Sequence, residues 1–448
     1  MNMQARSIKL AVTAAFAALF FALTAPAQAT TIERVVSPGG IEAWLVREPA
    51  VPVIAMDFSF RGGSNQDPVT KSGLAYMVSS MLDEGAGDLD ANAFNRLMQE
   101  NALELRFNAS RDHFSGSVRV LRDRQAQSFD LVRLALTAPR LEAEALERVR
   151  AQVLSSLRRE TTSPGDIATR LWWKTAFPNH PYGRPNNGSL ESVPLLTPDD
   201  LRSYVKRVFA RDNLKVAVVG DIDAATLGPL LDRVFGALPA KSNLSPVPQA
   251  PPQAAGRRIV VDLDVPQAVL SLGGTGISRK DPDFIPAFIV NHILGGGSFS
   301  SRLYNEVREK RGLAYGVYSY LLPLDHSALF MSSTQTRADR AGEALDLIEA
   351  EIRRMAAEGP TEDELAKAKA YLKGSYALAF DTSTKIAGAL LAIQTAELGI
   401  DYIDKRNGLI DAVTIADTKR VAKRLAAGGL LVTVVGRPKG ITSKDNGG

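Results

Sequence analysis

The sequence contains no cysteine and only four histidines in 448 residues. The first absence excludes disulfides, thiolate zinc sites, iron–sulfur ligation, covalent haem attachment and a cysteine nucleophile. The second confines imidazole chemistry to His113, His180, His292 and His326, no two of them within five residues of each other. Excess charge is also missing: 53 Lys and Arg stand against 49 Asp and Glu, a net charge of +4. With both signs interspersed, this is no nucleic-acid footprint. Arg158-Arg159, Arg257-Arg258 and Arg353-Arg354 read as solvated faces. The apolar run at 10–25 counts 16 residues, short of the ~20 that span a bilayer. It follows Arg6 and Lys9 and precedes Ala27-Gln28-Ala29, the pattern of an export leader cleaved after Ala29. No cysteine follows to carry a lipid. A periplasmic protein without a stable membrane span is expected, and loss of the two basic leader residues lowers the net charge to +2.

What remains is ordinary globular composition, 45% hydrophobic and 23% charged, with 35 Gly and 24 Pro. Length alone suggests about three domains, but the internal pattern argues for two. Residues 239–256 form a Pro-rich stretch without hydrophobic period, an extended connector. On either side of it, 75–82 matches 287–294, 144–151 matches 363–370, and 216–220 matches 432–436. The order is conserved between the halves and the offset drifts by only a few residues, so the domain is duplicated. The expected division is a signal peptide at 1–29, a first domain at 30–238, the linker at 239–256 and a second domain at 257–448.

Within the first half, strand character at 51–60 leads through Arg61-Gly-Gly-Ser64 to a helix over 72–82, then to a second helix capped by Asp90. Strand character at 107–121, helical period at 123–137 and 142–160, a stop at Pro164-Gly165 and a buried strand at 214–219 follow. The second half repeats this order, with strands near 269–273 and 316 and helices at 284–294 and around 340 and 370. Helices therefore pack on sheets in both halves. The acidic run at 83–90 lacks calcium-loop spacing and reads as a helix end followed by a cap.

The most informative stretch is 295–315. Three glycines, Gly295, Gly296 and Gly297, precede Ser298 and allow a close backbone approach. The Lys-Ser/Thr of a phosphate-binding loop is missing. Ser301 is placed to cap a helix through Arg302, Leu303 and Val307, and Gly312 to end it. Arg308 then falls in the last helical turn and Tyr315 at the start of the next strand, within reach of one cleft. Arg offers a planar fork of donors and Tyr a phenolic donor for a developing oxyanion.

This stretch resembles the pitrilysin/insulinase family of zinc peptidases, the inverzincins. The likeness extends to Gly73-Leu-Ala75, His180-Pro-Tyr-Gly183, 213–221 and the duplication itself. It implies an α+β fold of two duplicated domains of about 200 residues, each a mainly antiparallel sheet packed with helices. It also implies that Arg308 and Tyr315 bind the substrate backbone and stabilise the transition state, with Gly295–Ser298 edging the peptide channel. Zinc-binding members carry His-x-x-Glu-His after Gly-Leu-Ala. Here the three chemical positions are Tyr76, Ser79 and Ser80, and 153–157 offers no further carboxylate ligand. No metal or cofactor is therefore expected in this chain.

The resemblance thus implies the second subunit of a two-chain zinc metalloendopeptidase, inactive alone. Zinc would sit in a homologous His-x-x-Glu-His partner, and the substrate would be a peptide. Two other readings stand beside it: an inactive structural or peptide-holding homologue, and a periplasmic small-ligand-binding protein with two lobes and a hinge.

Overall fold

The chain forms two sheets with one strand order used twice. The computed structural model describes residues 31–444; the leader expected at 1–29 lies outside the described residues. Strands β1 (Glu33–Val36), β2 (Glu42–Arg47), β3 (Val53–Arg61), β4 (Glu104–Ala109), β5 (His113–Leu121) and β6 (Leu214–Gly220) make the first sheet, in the order β1-β2-β6-β3-β5-β4. Strands β7 (Arg258–Val261), β8 (Gln267–Thr275), β9 (Ala314–Pro323), β10 (Ala328–Arg337) and β11 (Leu431–Val435) make the second, in the order β7-β11-β8-β10-β9. Apart from β1 the two orders are equivalent, and in each only one pair is parallel, β2–β6 and β7–β11. The fold is α+β, duplicated, with antiparallel pairing elsewhere in both sheets.

Strand alternation gives the first sheet two buried faces. Ile54, Met56, Phe58 and Phe60 of β3, with Val216 and Val218 of β6, join the first-half helices in one core. Ala55, Ala217 and Val219, with Trp44 and Val46, face the other way. That second face is covered by a helix of the other half, Ser383–Thr395, through Ile386, Ala387, Leu390 and Ile393. Gln394 Nε2 also donates to Val216 O at 2.8 Å. The second sheet receives the reciprocal helix, Pro164–Ala176. Trp172 and Trp173 pack there with Leu329, Met331 and Leu431, and Trp172 Nε1 donates to Leu431 O at 3.2 Å. Gly273 is needed for this contact, since a Cβ on it would fall 2.4 Å from the Trp172 ring. The two exchanged helices are equivalent positions of the duplication.

A polar knot joins the same halves. Asp112, in the β4–β5 turn, accepts from Tyr182 Oη at 2.6 Å and Asn65 Nδ2 at 3.1 Å, and from the Asp325 backbone at 3.0 Å across the halves. The Tyr182 oxygen in turn accepts from the His326 backbone at 3.0 Å. Burial beside the Asp112 carboxylate drives the Tyr182 phenol far above its usual range. The linker 239–256 carries no helix or strand, yet it is pinned along its length, with Ala250 N–H on His326 O and Gln253 N–H on Ala176 O.

Several local expectations change. The 107–121 stretch is two strands, because the chain reverses at 110–112. Pro164 does not stop a helix but begins one: Ala143–Glu160 ends first, and Pro164 takes the N1 position that needs no N–H. The helix expected over 72–82 is shorter, Leu74–Ser79. Asp90 caps Ala91–Glu100 as read, accepting from Ala93 N–H at 2.8 Å. Ser301 does not cap with its hydroxyl, which donates to Ser298 O at 2.8 Å. No helix among the described residues is long and apolar enough to cross a membrane.

Because each half supplies one layer of the other, the halves should unfold together. Trp172→Ala is expected to cost about 3–5 kcal/mol and to lower a single denaturant transition read by both near-UV and far-UV circular dichroism. Two separated transitions in the parent protein would refute the shared layer.

Candidate functional site

Arg308 is carried on a short helix that is wound wide. Residues 304–309 form π turns, as do 292–296 before the glycines, a geometry concentrated at functional sites. Gly312, at φ +57°, closes the turn, with its N–H on Arg308 O and Leu313 N–H on Val307 O. A fork from Arg302 anchors the start of this helix. Its Nε and Nη2 meet the two Glu364 oxygens at 2.7 and 2.6 Å, and Nη2 also reaches Gly359 O at 3.0 Å. Arg302 holds the Glu364 carboxyl down to about 2, and Glu364 also caps its own helix with Thr361.

Tyr315 is exposed because of a register fault. In the β9–β10 ladder Ala314 pairs with Thr336 and Val317 with Thr334, so Tyr315 and Gly316 together oppose Gln335. Plain alternation would place Tyr315 on the face of buried Val317 and Ser319. The bulge turns it outward, and it is 87% exposed. Thr334 Oγ1 and Thr336 Oγ1 hold the bulge by donating to Gly316 O at 2.8 Å and Leu313 O at 2.5 Å.

The two predicted residues meet. Arg308 Cζ lies 4.7 Å from the Tyr315 ring centroid and 4.8 Å from that of Tyr304, so the guanidinium sits between two rings. Arg308 Nη1 donates to the Tyr304 oxygen. Phe299, itself exposed, packs edge-on against Tyr304 at 5.0 Å. Tyr315 lines a groove of about 540 Å³ whose wall includes Ser271, Gln335 and Thr336, and whose far side is Gly165 and Thr169 of the exchanged helix. Sequence reading missed Tyr304 and the Glu364 brace. Tyr304 stood four residues before Arg308, a spacing that pairs side chains on a helix; Glu364 gave no local signal.

The glycines have a packing reason. A Cβ on Gly295 would fall 2.5 Å from Ser319 Oγ, one on Gly296 2.7 Å from Asn291 Nδ2, and one on Gly297 2.8 Å from His292 O. Gly295 is buried, whereas Gly296 and Ser298 are exposed.

Tyr76, Ser79 and Ser80 lie on the Leu74–Ser79 helix and at its end. Both hydroxyls turn back onto Tyr76 O, at 2.7 and 3.1 Å, and the Tyr76 ring packs against the first core. These positions do not fit a zinc ion. Among the described residues no three His, Asp or Glu side chains are grouped to hold a metal, and no hydrogen bond, ion pair or ring contact links these positions to Arg308 or Tyr315. Three of the histidines that look solitary in sequence do gather near Tyr182. There, His180 Nδ1 accepts from Tyr182 N–H, His180 Nε2 meets Pro248 O, and His113 Nε2 faces Asp325 at 3.5 Å. His113 and the His326 backbone reach across the halves, while His180 holds the linker.

Known proteins resemble this chain in sequence and in fold. Residues 45–188 match the family model described as insulinase (peptidase family M16), and residues 195–372 match the one described as peptidase M16 inactive domain. An uncharacterized zinc protease of Streptomyces coelicolor is 28% identical over 91% of this chain and 90% of that one. The non-peptidase homolog YmxG of Helicobacter pylori is 26% identical over 74% of this chain and 77% of its own. Among solved structures, a peptidase M16 inactive domain from Pseudomonas fluorescens has a TM-score of 0.86 at 28% identity, covering 92% of this chain and 99% of that one. A protease from Helicobacter pylori shares the fold, with a TM-score of 0.83 at 21% identity over 91% and 99% of the two chains. The chain belongs to the insulinase (M16) peptidase family.

Glu364→Gln should free the helix that carries Arg308 and cost about 1–2 kcal/mol at pH 7, allowing for solvent screening of a partly exposed pair. Since Arg302 holds this carboxyl below its ordinary 4.5, at about 2, its contribution is full above pH 4.5 and is lost as pH falls through 2. Urea unfolding of parent and variant should therefore converge on acidification. A gap that widens toward pH 2 would contradict the brace.

Proposed function

We propose that this chain is the zinc-free subunit of an exported, periplasmic heterodimeric metallopeptidase and supplies Arg308 and Tyr315 to the peptide. The metal and the base that activates water belong, in this reading, to a homologous partner carrying His-x-x-Glu-His. Arg308 directs its fork at a backbone carbonyl of the bound peptide and fixes its register. Tyr315 donates its phenolic proton to the oxygen that gains charge as the carbonyl becomes tetrahedral. The isolated chain hydrolyses nothing.

One observation carries the reading: an arginine and a tyrosine are held ring to guanidinium at a groove edge, with Tyr315 exposed by a bulge. A structural scaffold has no use for an 87% exposed tyrosine held in this way. The family match and the hydroxyls at the metal positions agree with the division of labour. A second reading, a peptide-holding homologue without hydrolysis, draws on Tyr304, which already takes one Arg308 donor, and on the name of the Helicobacter relative.

Kinetics of the reconstituted pair separate the two. Tyr315→Phe removes one transition-state hydrogen bond and should lower kcat about 10²–10³-fold with KM little changed. Arg308→Ala should raise KM as well, because it also binds the ground state. If both variants keep full kcat while peptide binding weakens, the holding role replaces the catalytic one.

A further inference from the structure

A second cavity, of about 420 Å³, opens on the first half and shares Thr169 of the exchanged helix with the Tyr315 groove. Its volume falls in the range of small-ligand sites, and its walls are cationic. Arg111, Arg170, Lys174 and Arg184 border it, against Glu160 and Asp166. Arg170 and Glu160 satisfy each other at 2.5 Å, and Glu160 also takes Asn187 Nδ2 at 2.8 Å. That leaves three cations facing one acid.

None of Arg111, Lys174 and Arg184 makes a side-chain hydrogen bond or ion pair among the described residues, and the Nε of both arginines is buried without an acceptor. Asp67, the carboxylate whose field reaches Arg184, spends its oxygens on the N–H groups of Gly73, Leu74 and Ala75. The Arg111 guanidinium lies over Trp173, with Cζ 3.5 Å from the ring centroid. Stacking fixes its plane and leaves its edge donors for a ligand. Burial draws Arg111 down to about 10, still charged at neutral pH, and lowers Arg184. The donors open to the cavity are the Nη groups of the two arginines and the Lys174 ammonium, and an oxyanion is the group that satisfies such a cluster.

We infer that this cavity receives the carboxylate end of a peptide, held by Arg111, Lys174 and Arg184, while the chain passes Thr169 to the Tyr315 groove. The peptide body of this ligand rests on the function proposed above; the oxyanion site rests on the three cations alone. Inorganic phosphate shares the recognising chemistry, so it serves as a second probe.

Calorimetric titration of the full chain with one peptide, as free acid and as C-terminal amide, tests this. The acid should bind at least about tenfold more tightly, phosphate should compete with it, and both effects should vanish in Lys174→Gln/Arg184→Gln. Lys174 is exposed, so Lys174→Glu should leave the fold intact and weaken the acid by itself. Equal binding of acid and amide, or a preference that survives the double variant, overturns the proposal. If neither peptide binds, the peptide reading of the groove has failed, and phosphate alone decides the cavity. Binding lost on substitution then keeps the oxyanion site, and no binding removes it.

Discussion

A sheet with two apolar faces needs cover on both, and each half of this protein makes its own helices cover only one. The second face is closed by a helix borrowed from the other half, Ser383–Thr395 on the first sheet and Pro164–Ala176 on the second. Leu390 is fully buried and Trp172 nearly so by this exchange, each at a gain of about 1.5–3 kcal/mol or more. Neither half has a complete core without the other. The Asp112–Tyr182 knot adds direction, since its hydrogen bonds are satisfied in one relative placement of the halves only. The groove beside Tyr315 exists because an exchanged helix forms its far wall.

On that frame the Arg308–Tyr315 pair is set by three local devices. A bulge flips Tyr315 out of the core, the Arg302–Glu364 fork holds the start of the helix, and bare glycines let the preceding turn lie against β9. Rotamer freedom is removed from the guanidinium by two rings, so in the proposed role less entropy would be lost on meeting a peptide carbonyl. The metal positions, by contrast, point no ligand outward: Tyr76 packs on the core and two serines, Ser79 buried, bond to a carbonyl of their own turn.

Much of this was legible in sequence where the signal is local or repeated. The duplication, the strand at 214–219, the Asp90 cap and the helical period at 142–160 follow from period and spacing. Motif spacing also brought Arg308 and Tyr315 together. The helix exchange was not legible, because the periodicity of a helix reveals its apolar face and not which sheet will take it. Pro164 misled for a related reason: the same residue stops one helix or starts the next, and only the three residues after Glu160 distinguish the cases. Histidine spacing argued against clustering, yet tertiary contact gathered three of the four near the junction of the halves. Tyr315 escaped strict alternation because a bulge is a relation between two strands, invisible in either alone.

The central claim is that the Arg/Tyr half of a peptidase site resides here and the metal half elsewhere. The most direct measurement is cleavage of a quenched fluorescent peptide by the purified chain with zinc, alone and mixed with a His-x-x-Glu-His homologue that is itself weakly active. The account predicts no turnover by this chain and a zinc-dependent rise in the mixture that saturates at equal stoichiometry. Zinc-dependent turnover by the chain alone would contradict it.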